Sequence, residues 1–270
     1  MKKDTKILAL TGKGGVGKTT VCAAFVRALG EKHKGAKILA IDADPAVGLA
    51  TALGVEVSET LDNIRTDVIE KAEGGEGREA VELLGEARYR IFDAIVEKDN
   101  FSFLAIGRPE GAGCYCSINS YLKEVIAMVS EEFDYVVIDG EAGIEQVNRR
   151  VMDKVTHLFL VTDMSKKGIE VIKTIRKVAD ELVRYDKLGV IINRLDEPDS
   201  LKLLADEGSV GESSDGTEIL GKIDGMDIVS VITIDSAHAK NDMLGRTVFE
   251  LDASAPVYAG AVLALENMGV

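Results

Sequence analysis

The chain has no tryptophan, four prolines and three cysteines in 270 residues, and aromatic residues make up only 5% of it. Three cysteines are too few, and odd in number, for the disulfide framework of a secreted domain. No apolar run approaches the roughly 18 residues of a membrane span. Basic residues are outnumbered, 32 against 46 acidic ones, for a formal net charge of −14. That balance argues against a nucleic-acid surface, which needs a basic stripe to release phosphate counterions, and against a polybasic membrane anchor. Met1-Lys2-Lys3-Asp4-Thr5-Lys6 runs directly into an apolar segment and leaves no room for a signal peptide. The expectation is a soluble, cytoplasmic protein with no nucleic-acid partner and no membrane anchor.

What is present is an alternation. Strands are expected at Lys6–Leu10, Ile38–Asp42, Phe101–Gly107, Tyr135–Asp139, His157–Thr162, Gly189–Asn193 and Ile228–Ile234. Several are near-continuous Val/Ile/Leu/Phe runs, as in parallel strands covered on both faces. Helices are expected at Lys18–Leu29, Ile118–Glu132, Lys166–Tyr185, Ser236–Asn241 and Ala255–Met268. The order reads as an α/β fold, a doubly wound, mostly parallel sheet with helices on both faces and ligands at the C-terminal strand edge. One domain over residues 1–270 is expected, with a helical, strand-free insertion at about 60–99 broken near Glu73-Gly74-Gly75-Glu76-Gly77. The insertion is a candidate partner surface. Leu195–Gly216, acidic and rich in Gly and Ser, reads as a loop.

Between the first strand and first helix lies Gly12-Lys13-Gly14-Gly15-Val16-Gly17-Lys18-Thr19-Thr20. This is G-x-x-x-x-G-K-[ST] in the strand–turn–helix context that makes it a phosphate site. Glycines let successive N–H groups converge on phosphate oxygens, and the helix N-terminus adds its positive dipole end. Lys18 can reach the β- and γ-phosphates, and the Thr19 hydroxyl can ligand Mg²⁺. The chain is therefore expected to bind a nucleoside triphosphate with Mg²⁺. Lys13 by itself reads either as a cation beside the phosphates or as a solvated loop lysine.

Lys-Gly-Gly-Val-Gly-Lys-Thr-Thr resembles the deviant phosphate loop of the MinD/ParA/nitrogenase-iron-protein class of ATPases. The resemblance implies that the nucleotide is ATP or ADP, and it implies an ATP-dependent homodimer in which Lys13 reaches the partner's nucleotide.

Three strand tips carry further candidates. Asp42 and Asp44 leave the second strand, where paired carboxylates can position Mg²⁺-bound water and an attacking water. By resemblance to switch I of the class, Asp44 orients the water and Asp42 is either linked to magnesium or supports a group that is, although Gly48 stands where relatives often carry Asn; the two acids also suit a polar strand-end turn begun by Asp44-Pro45. Asp139, after Tyr135-Val136-Val137-Ile138, fits a magnesium-holding strand-end aspartate, and Gly140-Glu141-Ala142-Gly143-Ile144-Glu145 resembles switch II. Glu141 reads equally as catalytic or as an ordinary loop carboxylate. Asn193 ends the sixth strand. The class places an adenine-binding Asn there, while the residue alone also suits a strand-end turn.

Gly107-Arg108-Pro109-Glu110-Gly111-Ala112-Gly113-Cys114-Tyr115-Cys116 leaves the third strand at the same edge. Two thiols one residue apart in a Gly-rich loop can ligate a soft or borderline metal as thiolates, and a dimer would combine two pairs into a Cys₄ site. Bare Cys-x-Cys is also common by chance. The whole segment, with the downstream Asp-x-Glu-Ala-Gly-Ile-Glu, resembles the CooC-type nickel-insertion ATPases that mature carbon monoxide dehydrogenase. The resemblance implies that Cys114 and Cys116 of each subunit hold Ni²⁺ or Zn²⁺, and that ATP hydrolysis is coupled to delivery of nickel into a client metalloenzyme. Two alternatives stand beside it. One is a MinD/ParA-like positioning switch, and the other is an iron–sulfur reductase like the nitrogenase iron protein. Cys22 reads as a buried core thiol, and His33, His157 and His238 are too scattered to be ligands.

Overall fold

The computed structural model describes residues 5–44, 46–73, 80–107, 116–140, 151, 154–196, 221–235, 240–241 and 243–270, with side chains at 72–73, 80–84, 116–119 and 121 not described. The strands are β1 (Lys6–Gly12), β2 (Ile38–Asp42), β3 (Val96–Glu97), β4 (Ser102–Ala105), β5 (Tyr135–Asp139), β6 (Lys154–Thr162), β7 (Arg184–Leu195), β8 (Lys222–Ile223) and β9 (Met226–Thr233). They form one sheet in the order β3-β4-β2-β5-β1-β6-β7-β9-β8. All pairings from β4 to β9 across the sheet are parallel, and only the short edge pairs β3–β4 and β8–β9 are antiparallel. The doubly wound, mostly parallel sheet expected from the sequence is the architecture found.

The helices are α1 (Lys18–Lys32), α2 (Gly48–Leu53), α3 (Leu61–Glu73), α4 (Ala80–Asp93), α5 (Cys116–Ser130), α6 (Lys166–Leu182) and α7 (Pro256–Asn267). Side chains alternate across each strand, so Leu8 and Leu10 of β1 join one core while Ala9 between them joins the other. The first core is roofed by α1, α2 and α7, and the second by α3, α4, α5 and α6. Phe25 of α1 meets Phe159 of β6 edge to face, ring centroids 4.9 Å apart, both fully buried. Burial of each ring contributes about 1.5–3 kcal/mol, so this contact seats α1 firmly on the sheet. In α6 the buried residues are Gly168, Ile172, Ile175 and Ala179, a single helical stripe, and the Ser165 side chain caps the helix by accepting from the Gly168 N–H.

The structure departs from the sequence reading at the insertion, which contains a strand. β3 pairs Val96 with Phe103 and Glu97 with Ser102, closed by a turn in which Lys98 N–H donates to Phe101 O at 2.8 Å. Two residues are too few to show an alternation, and a tight turn creates the pairing. Helix α2 was also not expected, because its six residues are too short for a periodic signal. Most of the break expected at Glu73–Gly77, most of the 195–216 loop and most of the Ser236–Asn241 helix lie outside the described residues.

Candidate nucleotide site

The parallel register brings the candidate residues to one edge. β1 lies between β5 and β6, so its loop emerges flanked by Asp139 on one side and by Asp163, just past β6, on the other. β2 lies next to β5 with Asp42 opposite Asp139. Gly12 is required by close approach, since a Cβ there would lie 2.0 Å from the Val161 carbonyl oxygen. The loop then runs alongside β6, with Lys13 N–H donating to Val161 O at 3.2 Å.

Inside the loop, Lys18 is buried and its Nζ donates to the Lys13 carbonyl at 3.2 Å. A nucleotide's phosphates would compete for this ammonium. Lys13 points elsewhere. Its Nζ lies 2.5 Å from Asp163 Oδ2 and donates to Ser165 Oγ at 3.2 Å, all within its own chain.

Asp42 is fully buried and accepts from Asp44 N–H (3.1 Å) and Leu49 N–H (2.9 Å), thereby pinning the chain between β2 and α2. Asp44 in turn accepts from Ala46 N–H at 2.8 Å. Helix α2 starts close to the loop: a Cβ on Gly48 would be 3.5 Å from Thr19 Cγ2. That is an ordinary contact distance, so the α2 N-terminus sits beside the side chain expected to hold magnesium without requiring glycine at 48.

Asp139 is also buried, and neither carboxylate oxygen has a donor at hydrogen-bonding geometry. Burial lifts its pKa to about 7, with the neighbouring Asp42 adding to the rise and the nearby Thr19 hydroxyl and Lys18 charge opposing it. Burial likewise lifts Asp42 to about 6, against the hydrogen bonds from Asp44 and Leu49. Two buried carboxyls with displaced pKa values, one with both oxygens free of donors and facing Thr19, fit a divalent cation. Cys22, fully buried beneath them, has its thiol pKa pushed well up by burial and then by the two aspartates, the inert core thiol expected.

Asn193, expected at the adenine edge, is turned to the loop. Its Nδ2 donates to the Val16 carbonyl at 2.7 Å and its Oδ1 accepts from Arg194 N–H at 2.9 Å. Asp163 and Ser165 were not singled out in the sequence. A strand-tip acid followed by a helix-capping serine was visible there, but only the placement of β6 beside β1 sets them on Lys13. Cys114 and Glu141 lie outside the described residues, and Cys116 is placed only as the first residue of α5.

A phosphate loop between a central parallel strand and its following helix, with strand-end aspartates opposite it, defines a P-loop ATPase. Residues 7–232 match the family described as CbiA: CobQ/CobB/MinD/ParA nucleotide binding domain, and the chain belongs to that family. It is 34% identical over 253 residues to an uncharacterized ATP-binding protein, MJ0685, of Methanocaldococcus jannaschii, covering 93% of this chain and 94% of that protein. It is 27% identical to the carbon monoxide dehydrogenase accessory protein CooC of Rhodospirillum rubrum, covering 97% of each. Among solved structures it resembles the septum site-determining protein MinD of Pyrococcus horikoshii complexed with Mg-ADP, with TM-score 0.63 and 21% identity over 97% of this chain and 96% of that one. No helix among the described residues is long and apolar enough to cross a membrane.

Proposed function

We propose that this ATPase is a dimeric metallochaperone that holds a divalent metal at Cys114 and Cys116 and couples ATP hydrolysis to nickel insertion into a client metalloenzyme of the carbon monoxide dehydrogenase type. The observation that carries the reading is the similarity to CooC along 97% of both chains, together with the Cys-x-Cys segment that follows β4. The 34%-identical relative, described only as ATP-binding, is neutral on this point.

In this reading Lys18 leaves the Lys13 carbonyl for the β- and γ-phosphates, and Lys13 leaves Asp163 for the partner subunit's nucleotide. Asp44 orients a water whose oxygen attacks the γ-phosphorus as the bond to the ADP oxygen breaks. Thr19 and Asp139 would hold Mg²⁺, which neutralises charge on the phosphate oxygens when bound. One backbone connection supports coupling to the cysteines. Ile106 N–H donates to the Asp42 carbonyl at 2.8 Å, and Ile106 O accepts from Asp62 N–H at 2.9 Å. The chain that departs toward Cys114 is therefore hydrogen-bonded to the strand tip that carries Asp42 and to the start of α3. Nucleotide and metal are coupled only where both favour the same dimer state.

The test is metal content and oligomeric state measured together under anaerobic conditions, without nucleotide and with ADP or ATP, on the wild type and on a Cys114→Ser/Cys116→Ser variant. One nickel or zinc per dimer, lost in the variant while ATP still binds, is the expected result. An iron–sulfur absorption near roughly 400 nm points to a reductase instead. Absence of thiol-dependent metal in every nucleotide state leaves a positioning switch.

A further inference from the structure

We propose that Arg194 binds the nucleotide's charge: a bulge at the tip of β7 carries its guanidinium across the sheet edge to the phosphate loop, where it meets the α- and β-phosphates of ATP and ADP.

The alternation of the strand would send this side chain the other way. Along β7, Ile191 belongs to the core beneath α1 and Ile192 to the opposite one. Continued without interruption, that alternation puts Asn193 on the α1 face and Arg194 on the far face. Asn193 keeps to the pattern and reaches the loop, its Nδ2 donating to Val16 O at 2.7 Å. Arg194 does not. Its Nε lies 3.9 Å from where a Cβ on Gly17 would stand, so the side chain has crossed to the loop.

The backbone accounts for the crossing. Between the pairs Ile192–Val231 and Leu195–Thr233, β7 advances three residues while β9 advances two. One residue is therefore extra, a β-bulge, which re-aims the side chain it carries. Arg194 sits within it at φ 61°, in the left-handed region that a non-glycine residue keeps only where its surroundings impose it. Both flanks impose it here. Asn193 Oδ1 accepts from Arg194 N–H at 2.9 Å, and Leu195 O accepts from Ile234 N–H at 3.1 Å.

Arg27, Arg65, Arg90, Arg176 and Arg246 are each ion-paired with a carboxylate of their own chain. The exposed guanidinium of Arg194 has neither an ion pair nor a hydrogen bond among the described residues, in a chain where 46 acids face 32 bases. A cation left unpaired beside an anion-binding loop is available to the anion. The strand order indicates which part of it. Asp42 and Asp139 stand on the β2 and β5 side of β1, whereas β7 lies on the opposite side, beyond β6. Magnesium and the γ-phosphate chemistry belong to the first side, which leaves Arg194 the phosphates that ADP retains.

The experiment measures equilibrium affinity for Mg-ATP, Mg-ADP and inorganic tripolyphosphate at about 50 and about 500 mM NaCl, in the wild type, Arg194→Asn and Arg194→Lys. Asparagine removes the charge and accepts the left-handed conformation more readily than arginine, and lysine keeps the charge. At low salt the asparagine variant should lose about tenfold for each of the three ligands and the lysine variant about threefold. The asparagine deficit should shrink at high salt, because exposed charges are screened. A loss confined to ATP would assign Arg194 to the γ-phosphate, and a loss for the nucleotides without one for tripolyphosphate would assign it to the base or ribose. Either result, or unchanged affinity for all three ligands, overturns the proposal. If the asparagine variant does not fold, Arg194→Gly, which carries no steric penalty in that conformation, decides by the same criteria.

Discussion

Lys13 and Asp163 are paired across the mouth of the phosphate loop, Nζ to Oδ2 at 2.5 Å, with Ser165 Oγ as the second acceptor of the same ammonium. Burial alone would raise the Asp163 pKa, but the hydrogen bonds from Lys13 and Ser165 outweigh it and hold the carboxyl below its usual value. The pair therefore persists throughout the neutral range. A lysine engaged in its own chain is not available to a partner.

Asp163→Asn should release Lys13 while keeping an acceptor for Ser165. A partly exposed pair of this kind is worth about 0.5–1 kcal/mol, and a symmetric dimer would break two, so the proposed ATP-dependent dimer should tighten about 5- to 30-fold. Lys13→Ala should still bind ATP as a monomer and fail to dimerise. Sedimentation equilibrium with and without ATP measures both effects. Unchanged association of the asparagine variant would show that the pair does not restrain Lys13.

Asp42 and Asp139 make stability depend on pH in an unusual direction. Both have folded pKa values, about 6 and about 7, above the ordinary carboxylate value of about 4. Between these limits the folded chain binds more protons than the unfolded one, so stability falls as pH rises. Without Mg²⁺ the melting temperature should drop by several degrees from pH 5 to pH 8, and millimolar Mg²⁺ should restore more at pH 8 than at pH 6. Asp139→Asn should flatten both trends. Calorimetry across this range provides the check, and a pH-independent magnesium effect would count against a cation at Asp139.

Two glycines should respond oppositely to alanine. At Gly12 the new methyl would meet the Val161 carbonyl oxygen at 2.0 Å, and Gly12→Ala should cost about 2–4 kcal/mol through backbone strain and overpacking. At Gly85, within α4, the added Cβ meets nothing within 4 Å beyond its chain neighbours and the backbone of its own helix. Gly85→Ala should stabilise by about 0.5–1 kcal/mol by restricting the unfolded chain. Urea denaturation of both variants compares the signs directly.

Arg27 ties α1 to the segment before α7. Its guanidinium donates to Val248 O (3.0 Å), Leu251 O (2.8 Å) and Glu31 Oε1 (2.8 Å) and lies 4.3 Å from the centroid of the Tyr258 ring. Arg27→Ala removes the donor to Leu251 O and leaves Val248 O with only the Leu251 N–H at 3.3 Å, and should cost about 2–4 kcal/mol; Arg27→Lys should recover only part because a single ammonium lacks the planar fork. Denaturant midpoints of the two variants, measured side by side, test the geometry.

The local chain was enough to specify the phosphate loop, the strand-tip aspartates Asp42, Asp44 and Asp139, and the alternation that makes a parallel sheet. Each is encoded within a few consecutive residues, where glycine geometry, apolar runs and carboxylates act at short range. The two-residue β3 and the six-residue α2 were not legible, because such short elements carry no period and form only where neighbours complete their hydrogen bonds. The partners of the site residues were hidden for a related reason. That Lys13 meets Asp163, 150 residues away, and that Asn193 holds Val16, 177 residues away, depends on β1 lying beside β6 and on β7 reaching back over the loop. Strand order is a property of the packed sheet as a whole, and only the tertiary structure decided which charge each lysine faces and which carbonyl the asparagine holds.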